Sequence, residues 1–161
     1  MLRCGLIAFN ISREDAVAAA QQSIEVGVSA ERFFEVVTDY ERYPEFLSDV
    51  ESADVVSRGD GAAEVRFSLN LVKRLYYTLR LEEESPRRVV WSLADGPFKR
   101  NDGSWLIEEL GPDRVRATYS IDVAVGVFVP GAIVNRLVGK TLPTTLENFR
   151  VRAESLAAQD S

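Results

Sequence analysis

Histidine is absent from this 161-residue chain, and cysteine occurs once, at Cys4. The first absence removes Ser-His-Asp and Cys-His nucleophilic catalysis, the usual proton shuttle near neutral pH, and nearly every zinc or iron site. The second leaves no intrachain disulfide and fits a reducing compartment, so a cytoplasmic location is expected. A carboxylate-only magnesium or calcium site stays open, but no run of ligands at a spacing such as that of an EF-hand loop occurs, so no cofactor or metal is expected. No apolar run approaches the ~20 residues that span a bilayer. Positive charge is also in short supply. A net charge of −6 argues against a nucleic-acid partner, since binding to a phosphate backbone relies on clustered Lys and Arg. Any enzyme built from this chain must work with Asp, Glu, Tyr, Lys or Arg.

Near the N-terminus, Leu6, Ile7, Ala8 and Phe9 form an apolar stretch too short for a signal-peptide core, and no small-residue cleavage site follows it promptly. Ser12-Arg13-Glu14-Asp15 ahead of Ala16 to Ala20 resembles a helix start, with Ser12 as N-cap and an acid three residues on. Residues 1–20 are therefore expected to be an extension, partly helical or disordered, ahead of a single domain over residues 21–158.

From Gln21 the pattern is regular. Ile24, Val26 and Val28 alternate with polar or small residues, the period-2 mark of a half-buried strand. Ser29 caps a short helix carrying Ala30, Phe33, Phe34 and Val37 at helical spacing, and a second short helical stretch carries Tyr43, Pro44, Phe46 and Leu47. Six strands follow: Val50 to Ser57, Ala63 to Leu71, Leu75 to Glu82, Val89 to Leu93, a strand around Trp105 and Ile107, and Val115 to Val125. Turn signals separate them, at Gly59-Asp60-Gly61, Ser85-Pro86, Asp95-Gly96-Pro97 and Gly111-Pro112-Asp113. Short turns between successive strands predict an antiparallel meander. Each strand has one apolar face, and such a face must be covered. The cover is a long C-terminal helix in which Val134, Val138, Leu142, Leu146, Phe149, Ala153 and Leu156 recur at intervals of three and four, with a kink predicted at Pro143. The fold class is α+β: a curved seven-stranded antiparallel sheet wrapped around one helix.

One helix does not fill that sheet. At ~4.8 Å per strand, six or seven strands are roughly 30 Å wide, against about 10–12 Å for a helix with its side chains. Either large side chains fill the gap or a cavity remains. The inward aromatics Phe67, Tyr77, Trp91, Trp105 and Tyr119 suit both outcomes, as ordinary core or as the walls of a pocket with polar tips. A ligand cavity would be lined by these five with Leu69, Leu79 and Ile121 from the sheet, by Phe128 from the loop that follows it, and by Val134, Leu137, Val138, Thr141, Thr145 and Asn148 from the helix. Thr141, Thr145 and Asn148 flank the apolar stripe and either present polar groups to a ligand or bond back to their own backbone. The apolar loops 70–74 and 126–131 are either a cavity mouth that touches a membrane surface, with Lys73 and Arg74 facing anionic head groups, or a plug folded over the core.

Val28-Ser29-Ala30-Glu31-Arg32-Phe33-Phe34 through Thr38-Asp39-Tyr40-Glu41-Arg42-Tyr43-Pro44-Glu45-Phe46 resembles the opening of the START-like helix-grip superfamily, in its polyketide cyclase/dehydrase and coenzyme-Q-binding branch. Trp91, Gly96-Pro97-Phe98-Lys99, Gly103-Ser104-Trp105 and the closing helix with Pro130 before it match that branch too. The resemblance covers roughly residues 21–158. It implies the helix-grip fold, β-α-α-β6-α, and an internal cavity for a lipid, isoprenoid quinone or polyketide, with the protein acting as carrier or chaperone. Two alternatives stay open. One is an aromatic polyketide cyclase/dehydrase, for which no catalytic residue is assigned and Tyr77 and Tyr119 are the candidate proton movers, although a phenol of pKa ~10 is a poor base without a neighbouring cation. The other is a ribosome- or protein-associating module, since the superfamily includes members of that kind.

Overall fold

The computed structural model describes residues 3–11, 16–71, 73–125, 132 and 142–160. Its strands are β1 (Arg3–Ile11), β2 (Ala16–Val26), β3 (Val50–Gly59), β4 (Ala62–Asn70), β5 (Arg74–Glu84), β6 (Arg88–Asp95), β7 (Phe98–Gly111) and β8 (Arg114–Val125). Between β2 and β3 lie helix α1 (Ala30–Thr38) and a 3-10 helix (Tyr40–Glu45), and helix α2 (Leu142–Gln159) ends the described chain. The strands form one sheet in the order β1-β2-β8-β7-β6-β5-β4-β3. Each neighbouring pair is antiparallel.

The meander expected from the turn signals is present, strand by strand. At Asp60-Gly61 the chain reverses with φ of 55° and 74°, the two positive values that a two-residue hairpin with right-handed strand twist requires. Gly96 also has a positive φ, 142°, and a Cβ there would stand 2.6 Å from that of Tyr77, so the turn and the close approach both demand glycine.

Two expectations are corrected. Residues Arg3–Ile11 are extended, and Ala16 to Ala20 are part of β2 rather than of a helix. Alanine is the best helix former, but propensity is a weak prior and strand pairing overrides it here: β2 pairs along its whole length with β8, Ala16 opposite Val125 and Val26 opposite Val115. The pairing satisfies backbone groups of β8 that would otherwise form an open edge. With β1 added outside β2, the described sheet has eight strands, one more than the seven expected. The second short helical stretch is a 3-10 helix with Pro44 inside it. Asp39 makes no side-chain cap there, and Pro44 supplies no backbone N–H, so the segment does not extend into an α-helix.

Helix α1 forms as its sequence suggests. The Ser29 side chain accepts from the Arg32 backbone N–H at 3.2 Å, and Ala30, Phe33, Phe34, Val36 and Val37 are buried. Helix α2 buries Leu142, Leu146, Phe149 and Ala153 at intervals of four, three and four, a single stripe facing the sheet. Its outer residues tie it to the rest of the fold. Glu154 accepts from the Gly27 backbone N–H at 2.9 Å, Arg152 pairs with Glu45 at 2.9 Å, and Arg32 pairs with Asp160 at 2.6 Å. Pro143 is the second residue of the described helix, so the turn before it, and with it the expected kink, lies outside the described residues. No helix of the described residues is long and apolar enough to cross a membrane.

Candidate functional site

Strand register assembles the concave wall. Phe67 on β4 stands opposite Tyr77 on β5, and their rings stack with centroids 5.6 Å apart. Leu81 stands opposite Trp91, Trp91 opposite Gly103, and Gly103 opposite Ile121, so one row crosses β5, β6, β7 and β8. Trp105 stands opposite Tyr119, with ring centroids 5.0 Å apart and edge-on. Because side chains alternate along a strand, every member of this row shares the face that α2 covers.

The gap between wall and helix is a cavity of about 170 Å³. Phe149 of α2 reaches across, edge-on to Trp105 at 5.1 Å, Tyr43 at 5.3 Å and Phe46 at 5.1 Å. Around the space stand Phe67, Leu69, Tyr77, Leu79, Trp91, Trp105, Tyr119 and Ile121 from the sheet, and Thr145 and Asn148 from α2. The structure thus brings together ten of the residues that the alternation and helical spacing single out. The remaining five, Phe128, Val134, Leu137, Val138 and Thr141, lie outside the described residues. Of the two apolar loops, 126–131 also lies outside them, while in 70–74 the guanidinium of Arg74 is already held by Glu51 at 2.6 and 3.0 Å.

Three sets of lining residues were not among those expected. Val37, Tyr40, Tyr43, Leu47, Ser48, Asp49 and Val50 close one side, from the end of α1 to the start of β3. Leu81 and Val89 of the sheet and Leu142, Thr144 and Phe149 of α2 form the second set. Asn101 is the third. It lies on β7 two residues before Gly103 and four before Trp105, and extending that alternation upstream would have placed it on the inner face. Asn101 is 5% exposed, lines the cavity, and its side-chain Oδ1 has no hydrogen-bond partner. A buried amide oxygen without a partner is uncommon in folded proteins.

Gly103 carries a packing requirement of its own. A Cβ there would fall 2.2 Å from Trp91 Cζ2 and 2.5 Å from the Ser120 carbonyl oxygen, so the indole lies flat across the glycine as the cavity floor. Gly103→Ala is expected to push the indole off its seat and cost about 1–3 kcal/mol of stability. Urea denaturation followed by tryptophan fluorescence checks this, and an unchanged midpoint would mean that the ring does not rest there.

Apart from Asp49, the described lining residues carry no ionisable group that is charged near neutral pH. Burial pushes the phenols of Tyr77 and Tyr119 well above the usual tyrosine range, with the neighbouring Tyr119 adding to the effect on Tyr77. Both therefore keep their protons at neutral pH and act there as donors, not as bases. Tyr43 is pushed up by burial too, and its hydroxyl donates to the Val37 carbonyl. The described lining residues include no Lys or Arg and a single carboxylate, Asp49. Among the described residues no cluster of three or more Cys, Asp or Glu side chains is arranged to hold a metal ion. Chemically, the arrangement can desolvate an apolar guest and orient it by a few neutral hydrogen bonds.

Comparison with known proteins agrees with this architecture. Residues 26–150 match the family model described as polyketide cyclase / dehydrase and lipid transport. The chain is 26% identical over 133 residues to the persistence and stress-resistance toxin PasT of Escherichia coli O6:H1, covering 81% of this chain and 84% of that protein. It is 25% identical over the same span and shares to the ribosome association toxin RatA of Escherichia coli K12. A START superfamily protein from Mycobacterium smegmatis superposes with a TM-score of 0.74 at 24% identity, over 86% of this chain and 98% of that one. With a family match over most of its length, the chain belongs to the polyketide cyclase/dehydrase and lipid-transport family, and its sheet wrapped around a C-terminal helix is the START-like helix-grip fold.

Proposed function

We propose that the protein binds one small hydrophobic molecule, a lipid, isoprenoid quinone or polyketide, in this cavity and acts as its carrier or chaperone. The observation that carries the reading is the cavity of about 170 Å³ walled by aromatic and aliphatic side chains. A dry apolar cavity of about 150 Å³ holds a benzene-sized guest, so the space as it stands takes one ring or the end of a chain. A longer guest requires its walls to part. Carriage needs only this volume and an orienting group. Cyclisation of a polyketide in the same space needs a base besides, which protonated Tyr77 and Tyr119 do not provide and for which Asp49 is the one carboxylate among the described lining residues. Contact with a membrane surface through 70–74 and 126–131 belongs to the same reading, as the route by which a guest enters.

The test is organic extraction and native mass spectrometry of the purified protein. The expected result is one co-purifying apolar compound at up to one equivalent, released on unfolding. A preparation that carries none, and takes up none from a lipid and quinone extract, removes the carrier reading. A second reading, association with ribosomes, is favoured by the two toxin relatives that match 81% of the chain. The net charge of −6 works against a phosphate-rich surface. Co-sedimentation with ribosomes by ligand-free protein would favour this second reading.

A further inference from the structure

Resting on the hydrophobic-ligand reading, the geometry points to Asn101 as a polar anchor that accepts a hydrogen bond from an uncharged donor group, a hydroxyl above all, on an otherwise apolar guest. The Asn101 side chain projects from β7 into the cavity face, it is nearly fully buried, and its Oδ1 is left without a partner. A carbonyl oxygen so placed recovers the hydrogen bond lost on leaving water only when something in the cavity donates to it. The guest must therefore bring a proton donor.

That requirement sorts ligand classes. Alcohols, phenols and the reduced, hydroxyl-bearing form of a quinone have a donor, whereas a quinone's carbonyls and an ionised fatty acid do not. An anionic head would also find no Lys or Arg among the described lining residues, only Asp49. The phenols of Tyr77 and Tyr119, held protonated by burial, also line the cavity and are donors themselves, suited to the lone pairs of a guest oxygen. An apolar body with one neutral hydroxyl satisfies both kinds of group.

The chain's two tryptophans, Trp91 and Trp105, both line the cavity, so their fluorescence reports its occupancy directly. Three ring probes of similar size separate the head groups: cyclohexanol donates and accepts, cyclohexanone only accepts, and methylcyclohexane does neither. In the wild type, the affinity ratio of cyclohexanol to cyclohexanone should exceed that in Asn101→Leu by about tenfold, with methylcyclohexane binding at least as well to the variant. A ratio unchanged within about twofold, or an Asn101-dependent preference for cyclohexanone, overturns the anchor and leaves the cavity reading standing. Binding of none of the three to the wild type overturns both. Should Asn101→Leu not fold, the Asn101 side-chain amide resonances of the wild type decide. They should shift with cyclohexanol and not with cyclohexanone, and equal shifts or none sink the proposal.

Discussion

Raising the pH past about 10, the ordinary value of a tyrosine phenol, should unfold this protein over an unusually narrow interval. Four of its five tyrosines, Tyr40, Tyr43, Tyr77 and Tyr119, are held above that value, in each case chiefly by burial. Tyr40 also donates to Glu83 Oε1 at 3.2 Å, and that carboxylate opposes a phenolate beside it more than the nearby Arg58 favours one. Below about pH 10 both folded and unfolded chains keep these protons, and the phenols leave stability unchanged with pH. Above it the unfolded chain releases protons that the folded chain retains, so stability falls by about 1.4 kcal/mol per pH unit for each phenol, or about 5.5 kcal/mol per unit for four. Against a typical total of 5–15 kcal/mol, roughly one to three units suffice. Circular dichroism and phenolate absorbance recorded together should show ionisation of the four in step with loss of structure. Ionisation near pH 10 in a chain that keeps its native spectrum would mean that these phenols are not buried.

Phe149→Ala should lower stability by about 3–5 kcal/mol, the range for truncating a fully buried aromatic. Phe149 is 2% exposed and meets three rings, Tyr43, Phe46 and Trp105, edge-on at centroid distances of 5.3, 5.1 and 5.1 Å. It joins α2 to the segment after α1 and to β7 at once. The space it vacates would merge with the cavity it lines, so the site is poorly placed to collapse. For a chain of this size the loss corresponds to a melting temperature lower by roughly 10 °C. Phe149→Leu, which keeps most of the volume, should cost clearly less. A loss below about 1 kcal/mol for the alanine variant would mean that α2 is seated through other residues.

The meander and the covering helix were legible because their signals are local. Alternation marks strands, glycine with aspartate or proline marks turns, and the stripe Leu142, Leu146, Phe149, Ala153 marks a helix with one face to bury. Eight lining residues followed from which face each strand turns inward, and Thr145 and Asn148 from the helical spacing. The N-terminal hairpin was not legible, because Ala16 to Ala20 reads locally as helix and becomes strand only through pairing with β8, far along the chain. Asn101 was passed over although its spacing from Gly103 and Trp105 puts it on the inner face, because a polar residue within a strand reads locally as a solvent position. The 3-10 helix was half legible: its place is set by Tyr43 and Phe46, its tighter winding by Pro44.

The strand order places the first strands of the chain beside the last. β2 waits for β8, and the apolar face of the meander waits for α2, which follows it. On an emerging polypeptide, β3 to β7 can pair with their successors as they appear, yet they form a sheet whose greasy side stays bare until α2 has been made. Pairings so distant in sequence are slow to close. A newborn copy of this protein therefore spends its longest unfinished interval with its ligand chamber open, the stage at which chaperone holding matters most and at which an available guest would have the easiest entry.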